Sequence, residues 1–219
     1  MTATLRFAGG VTLAGGGALD RATLDLALAR APDLVAADGG ANLLRDWGLT
    51  PRAVIGDMDS ARDLDHWRGA GAQVLPIAEQ DSTDLEKCLE VTEASFWLGV
   101  GFLGRRFDHT LAALHALMRF PEKRIALIGD EDAIFLAPCD WRARLAPGAR
   151  VSFYPLAPTV ALSSEGLEWP LERLALAAGS RIGTSNRANA AEVAARFDAR
   201  HVAAMVERRY LDAVLDSLA

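Results

Sequence analysis

The sequence predicts an α/β protein whose N-terminal part is a three-layer α/β domain with a mainly parallel sheet. Two observations carry this. Short apolar runs alternate with amphipathic segments from Val11 to Ile128, with crossovers long enough for parallel pairing. From about Cys139 the alternation stops, and short segments separated by Pro and Gly read as β structure. The expected division is residues 1–138 and 139–219.

Residues 11–14 form a first buried strand, followed by Gly15-Gly16-Gly17 and an amphipathic helix over 19–30. A glycine loop before a helix can hold phosphate or adenine, but this one lacks GxGxxG spacing or a GK[ST] ending, so a tight turn is the simpler reading. The next strand, 34–37, ends at Asp38-Gly39-Gly40, which lets the backbone turn sharply. A helix over 41–47 is stopped by Gly48 and Pro51, and a strand over 53–55 runs into GDMDS at 56–60. Strand ends of a parallel sheet lie on one edge, so Asp38, Asp57 and Asp59 are expected to converge. Asp57 and Asp59, two apart in extended backbone, point the same way and can share one hard metal ion. The same stretch can equally be a polar turn, with Asp59 or Ser60 as N-cap of a helix over 63–70. In that helix His66 is assigned to the surface.

After a strand over 73–77, Gln80-Asp81-Ser82-Thr83-Asp84 opens a helix with Leu85, Cys88 and Leu89 at i, i+3, i+4. Asp81 or Ser82 can cap it, and Asp84 suits the positive helix end. Glu79, Asp81, Asp84 and Glu86 nevertheless gather more negative charge than a cap requires, which makes Asp84 a third metal-site candidate. A strand over 96–100 leads to GRRFDH at 104–109 and a helix with Leu111, Leu114 and Met118 inward. Arg106 offers a planar fork to phosphate oxygens, and Asp108 can cap the helix or fix the arginine. His109 reads as a helix-start residue and His115 as a satisfied core or interface histidine. Residues 125–128 give a further strand.

In the C-terminal part, 142–145, 150–154 and 159–163 read as β segments. Residues 191–199 are ambiguous: their alanines favour helix, while Val193, Ala195, Phe197 and Ala199 alternate with more polar neighbours. The polar segment GSRIGTSNR at 179–187 reads as a surface turn, and Trp169 as packing or a ligand contact.

Composition narrows the function. The 219 residues are 51% hydrophobic, ample for a packed core. The net charge is −6, and residues 1–139 hold 13 basic and 20 acidic side chains against 10 and 9 in the remainder. An acidic chain without a basic stripe is poorly suited to nucleic acid. No apolar run reaches the length of a membrane span, and MTATLRFAGG has neither a basic leader nor a signal-peptide core, so the expected location is cytoplasmic. Two cysteines, Cys88 and Cys139, fit a reducing compartment and lack CxxC spacing.

DGGAN, GDMDS, QDSTDLEKCLE and GRRFDHTLA, in that order over residues 38–112, resemble the thiamine pyrophosphokinase family, and GTSNR at 183–187 extends the likeness. The resemblance implies a C-terminal β-sandwich, with 191–199 as a strand. It implies ATP-dependent transfer of a diphosphoryl group to thiamine, by an ATP- and metal-binding N-terminal domain and a thiamine-binding C-terminal domain acting in a homodimer. Magnesium is expected on Asp57, Asp59 and Asp84, with Arg106 and Asp108 completing the catalytic set. ATP is expected at Asp38, Gly39, Gly40, Asn42, Gln80, Thr83, Arg106 and His109, and thiamine at Thr184, Ser185 and Asn186. The family motif is GGRxDH, so Arg105 stands here for its second glycine. The rivals are transfer to another hydroxymethyl heterocycle, such as a pterin, and a noncatalytic nucleotide-sensing module.

Overall fold

The fold was obtained as a computed structural model, which describes residues 4–219; the first three residues of the segment read for a leader lie outside them. Contacts divide the chain into two units: residues up to Ala116 together with Leu127–Asp130, and Leu117–Ala126 together with Glu131–Ala219.

In the first unit the elements run β1 (Leu5–Arg6), β2 (Val11–Ala14), α1 (Arg21–Leu28), β3 (Asp33–Ala37), α2 (Gly40–Asp46), β4 (Ala53–Gly56), α3 (Leu64–Gly69), β5 (Gln73–Pro76), α4 (Asp84–Val91), β6 (Thr92–Glu93) and β7 (Trp97–Val100). The unit boundary passes through α5 (Phe107–Arg119) and β8 (Ile125–Ile128). Strands β7, β2, β3, β4 and β5 lie side by side in that order, every neighbouring pair parallel. VTLA, AVIG and WLGV are buried at every position, which is why these runs are apolar throughout and do not alternate.

Helix ends follow local chemistry. Asp20 caps α1 by accepting from the Thr23 N–H at 2.6 Å, so the helix begins at Arg21 and is shorter than 19–30. Gly48, at φ 66°, ends the turn after α2 in the left-handed conformation that glycine tolerates best. Two expected caps are corrected. Helix α4 is capped by Thr83, not Asp81 or Ser82, through a capping box with Glu86. Helix α3 has Asp63 at its N-cap with no side-chain cap bond, so Asp59 and Ser60 stay free for the loop. The inward face of α5 is also corrected: Ala113, Ala116 and Leu117 are buried, Leu111 is 51% exposed, and Leu114 and Met118 are intermediate. Alanines let the helix backbone pack closely, so its larger residues fall to the flank. His115 is exposed, not a core residue, with Nε2 4.0 Å from Glu86 Oε1.

The second unit carries β9 (Asp132–Leu136), β10 (Asp140–Arg144), β11 (Arg150–Pro155), β12 (Thr159–Glu165), β13 (Leu174–Leu176), β14 (Gly183–Arg187), β15 (Glu192–Phe197), β16 (Val202–Glu207), a 3-10 turn Arg208–Tyr210 and α6 (Leu211–Ser217). Strands β14-β11-β16-β9 pair antiparallel, as do β10-β15-β12-β13. The two sheets pack through Trp141 of β10 and Phe197 of β15 on one side and Phe135 and Phe153 on the other. Trp141 lies edge-on to Phe153 at 5.4 Å, and Phe153 is 5.7 Å from Phe197. The expected β-sandwich is therefore present, with 192–197 as a strand. The GTSNR segment is also a strand, not a surface turn: Gly183 faces Phe153 so closely that an added Cβ would lie 3.2 Å from its carbonyl oxygen. No helix among the described residues is long and apolar enough to cross a membrane.

Candidate active site

The carboxyl ends of β3 and β4 carry the acidic motifs, and the turns after them are held by each other. Asp38 follows β3 with φ 41°, a left-handed conformation that Asp tolerates better than most residues. Its buried carboxylate accepts from the Ser60 N–H at 3.0 Å and the Ala61 N–H at 3.2 Å. Asn42, on the first turn of α2, donates to the Ser60 carbonyl at 3.0 Å and accepts from the Arg62 N–H at 3.0 Å. DGGAN thus clamps the loop that carries GDMDS. Gly40 is required for this approach, because a Cβ there would lie 2.0 Å from the Ala14 carbonyl oxygen. Gly56 is required too: its Cβ would lie 2.6 Å from that of Asp38.

Within the loop, Met58 is left-handed at φ 67°, which curls the backbone so that the Asp59 N–H donates to Asp57 Oδ1 at 3.1 Å. Gln80 donates to Asp57 Oδ2 at 2.8 Å and, as the largest cause, holds that carboxyl below its usual range. Asp38, Asp57 and Asp59 each present an oxygen within 4.8 Å of the others. Hard oxygen donors at this spacing fit a divalent cation such as magnesium. Asp84 begins α4 on the same edge but is outside that set; its Oδ1 is 3.8 Å from Lys87 Nζ. Burial first, then the charge of Asp38, push the Asp84 pKa up to about 6. Burial also raises that of Asp38, against the two N–H groups that lower it.

Asp38, Asp57, Asp59 and Asp84 line one cavity of about 860 Å³, together with Gly15–Gly17, Gly101, Gly104, Arg105, Arg106 and His109. The glycine loops meet backbone to backbone, with the Gly17 N–H donating to the Gly101 carbonyl at 2.8 Å. Arg106 forms a two-pronged pair with Asp108, at 3.2 and 2.6 Å, so Asp108 fixes the arginine. Arg105, in the place of the family glycine, takes φ 52° after Gly104 at φ 79°. The loop thus keeps a glycine-like backbone while bearing a side chain, at a cost of about 1 kcal/mol. Thr83 lines the cavity too, although its hydroxyl is engaged in the capping box. Sequence reasoning passed over Lys87, whose i+3 spacing from Asp84 on a helix was the available signal.

In the second unit, Thr184 and Ser185 are exposed, whereas Asn186 is 4% exposed and holds three hydrogen bonds. Asn186 accepts from the Trp169 and Arg187 N–H groups and donates to the Trp169 carbonyl at 2.7 Å. It braces the exposed Trp169, at 52%.

The raised pKa of Asp84 makes its contribution to stability depend on pH. Its native pKa of about 6 is above its ordinary 3.8, so the stability tied to its protonated form is complete below about pH 4 and lost as pH rises through 6. A divalent cation held beside Asp84 would offset this only once the carboxylates are charged. The rise in Tm on adding saturating magnesium is therefore expected to be larger at about pH 7.5 than at about pH 5; equal increments by calorimetry would contradict the assignment.

An acidic cleft at the carboxyl edge of a parallel sheet, in one chain with an antiparallel sandwich, fits an α/β enzyme that handles an anionic ligand through a divalent cation. The family model described as "Thiamin pyrophosphokinase, catalytic domain" matches residues 24–128, and "Thiamin pyrophosphokinase, vitamin B1 binding domain" matches 142–201. The chain belongs to the thiamine pyrophosphokinase family. It is 32% identical over 191 residues to thiamine pyrophosphokinase 3 of Oryza sativa subsp. japonica, covering 72% of this chain and 71% of that one. Thiamine pyrophosphokinase 1 of Arabidopsis thaliana is 32% identical over 183 residues, 68% of each chain. The solved thiamin pyrophosphokinase from Candida albicans shares the fold with a TM-score of 0.78, over 94% of this chain and 92% of that one, at 16% identity.

Proposed function

We propose that the chain transfers the diphosphoryl group of ATP to the primary hydroxyl of thiamine, giving thiamine diphosphate and AMP. The observation that carries this is the match, in order along one chain, to a catalytic domain and a vitamin B1 binding domain of one family. The acidic cleft supports it physically. We assign ATP and metal to the N-terminal domain and thiamine to the C-terminal domain, with the chain acting as a cytoplasmic homodimer.

The hydroxyl of thiamine attacks the β-phosphorus, the bond to the α-phosphate oxygen breaks, and AMP leaves. Asp57, Asp59 and Asp84, with Asp38 beside them, are the residues that would hold magnesium, which supplies neutralisation of charge on the transferring group. Arg106, aimed by Asp108, contacts phosphate oxygens. The turns at Gly39 and Gly40, with Asn42, Gln80, Thr83 and His109, shape the ATP pocket. Asp57 or Asp108 can take the hydroxyl proton when within hydrogen-bond reach of it. Thr184 and Ser185 offer exposed hydroxyls to thiamine, while Asn186 acts by holding Trp169.

AMP formation measured with thiamine or a pterin as acceptor tests the reading: AMP only with thiamine is expected, AMP only with the pterin overturns it, and no AMP with either leaves a sensing module. Arg106→Ala is expected to lower kcat/KM for ATP about a hundredfold and Arg105→Ala less than about tenfold, because Arg106 precedes the x-Asp-His of the motif. The reverse ranking would move the phosphate contact to Arg105. Ser185→Ala is expected to raise the thiamine KM about tenfold and leave that for ATP unchanged, as when one hydrogen bond made equally in ground and transition states is lost.

A further inference from the structure

We propose that Lys87 is a further phosphate-contacting residue of this cleft, its ammonium donating to the diphosphate oxygens of the ATP donor; the inference rests on the diphosphoryl-transfer reading above. The chain is almost devoid of lysine: of its 23 Lys and Arg residues, Lys87 and Lys123 alone are lysines. Lys87 is also 2% exposed.

Its position is unfavourable for a cation on two counts. It lies near the start of α4, where the helix dipole opposes positive charge, and it is withdrawn from bulk water. Its side chain lies on the helix face of Asp84, three residues earlier. The distance from Nζ to Asp84 Oδ1 is 3.8 Å, an ion pair but longer than a hydrogen bond, and Asp84 is its ion-pair partner among the described residues. No acceptor among those residues takes a hydrogen bond from Nζ, yet Lys87 lines the cavity with Asp57, Gln80 and Arg106. A buried ammonium with uncommitted donors, opening on a cavity, is built to meet an acceptor that arrives with a ligand.

A polyanion entering walls that carry Asp38, Asp57 and Asp84 needs positive charge supplied from the protein side as well as by a metal. Arg106 provides a planar fork already held by Asp108, whereas Lys87 provides a compact charge with rotatable donors that can follow oxygens as the group moves. The ammonium keeps its proton and makes no covalent bond. A lysine that only balanced Asp84 would respond to the carboxylates and not to the nucleotide.

The test uses the full chain carrying lysine isotope-labelled at Cε, saturated with magnesium and without thiamine, so that no transfer to the acceptor occurs. Two lysines give two signals, assigned with Lys87→Arg. ATP and inorganic pyrophosphate are expected to move the Lys87 signal, AMP to leave it in place, and Lys123 to serve as the unmoved control. A Lys87 signal that ATP does not shift overturns the contact. In parallel, Lys87→Met is expected to lower kcat/KM for ATP about a hundredfold while changing the thiamine KM less than about threefold. A Met variant with wild-type ATP kinetics, whether or not its Tm falls, overturns it as well. Should that variant not fold, the spectrum of the unsubstituted protein decides. AMP formation by the unsubstituted protein separates the two levels: without it the diphosphoryl-transfer reading fails, and with it an unmoved Lys87 removes only this inference.

Discussion

Asp57→Asn is expected to give a folded protein whose magnesium-dependent AMP formation is about a hundredfold slower, a loss of about 3 kcal/mol of transition-state stabilisation. Asparagine fills the same volume, so the β4 turn keeps its packing. What changes is charge and hydrogen-bonding sense: both Asp57 oxygens accept, one from the Asp59 N–H and one from Gln80. An amide oxygen can accept from only one of these, and its nitrogen keeps the other contact only when Gln80 turns its own oxygen toward it. It also removes one negative charge from the set that converges with Asp38 and Asp59. Asp59→Asn is expected to act in the same direction. Steady-state rates at saturating magnesium, with Tm as the folding control, check both. Near-normal turnover in both variants would remove these carboxylates from the metal.

Trp141→Ala is expected to cost about 3–5 kcal/mol of stability, read as a fall in urea midpoint at unchanged slope. Trp141 is fully buried, and its ring meets Phe135 and Phe153 of the opposite sheet. Its indole N–H donates to Ser217 at 3.2 Å, tying α6 to the sandwich. Truncation leaves a cavity between two sheets whose strands cannot close independently. Trp141→Phe keeps most of the ring and is expected to cost about half as much. Equal midpoints for Trp141→Ala and the parent protein would show that the sandwich does not depend on this contact.

The parallel core was legible because its strands are buried on both faces, so VTLA, AVIG and WLGV announce themselves as apolar runs. The convergence of Asp38 with Asp57 and Asp59 was legible from topology alone, since parallel strands deliver their following turns to one edge. Less accessible was anything depending on partners distant in sequence. Nothing in the composition of DSTDLE at 81–86 separates a Thr83 cap from an Asp81 or Ser82 cap; Glu86 reaching back to the Thr83 N–H decides it at 2.8 Å. On α5 the largest apolar residues are not the buried ones, because close backbone approach selects Ala113 and Ala116. GTSNR reads as a turn in isolation because its pairing partner, β11, lies 30 to 37 residues earlier. For Lys87 the i+3 spacing from Asp84 is visible in the sequence, whereas its burial depends on the packing of the whole unit.

The reciprocal clamp between the turn after β3 and the loop after β4 makes residues 38–62 a single unit of inheritance for anyone recombining this chain. Asp38 and Asn42 hold their partners at Ser60, Ala61 and Arg62 across 18 to 23 positions of sequence. A chimera whose crossover falls between Asn42 and Ser60 draws the two sides of the clamp from different parents. Breakpoints before Asp38 or after Arg62 transplant the acidic loop together with the residues that hold it.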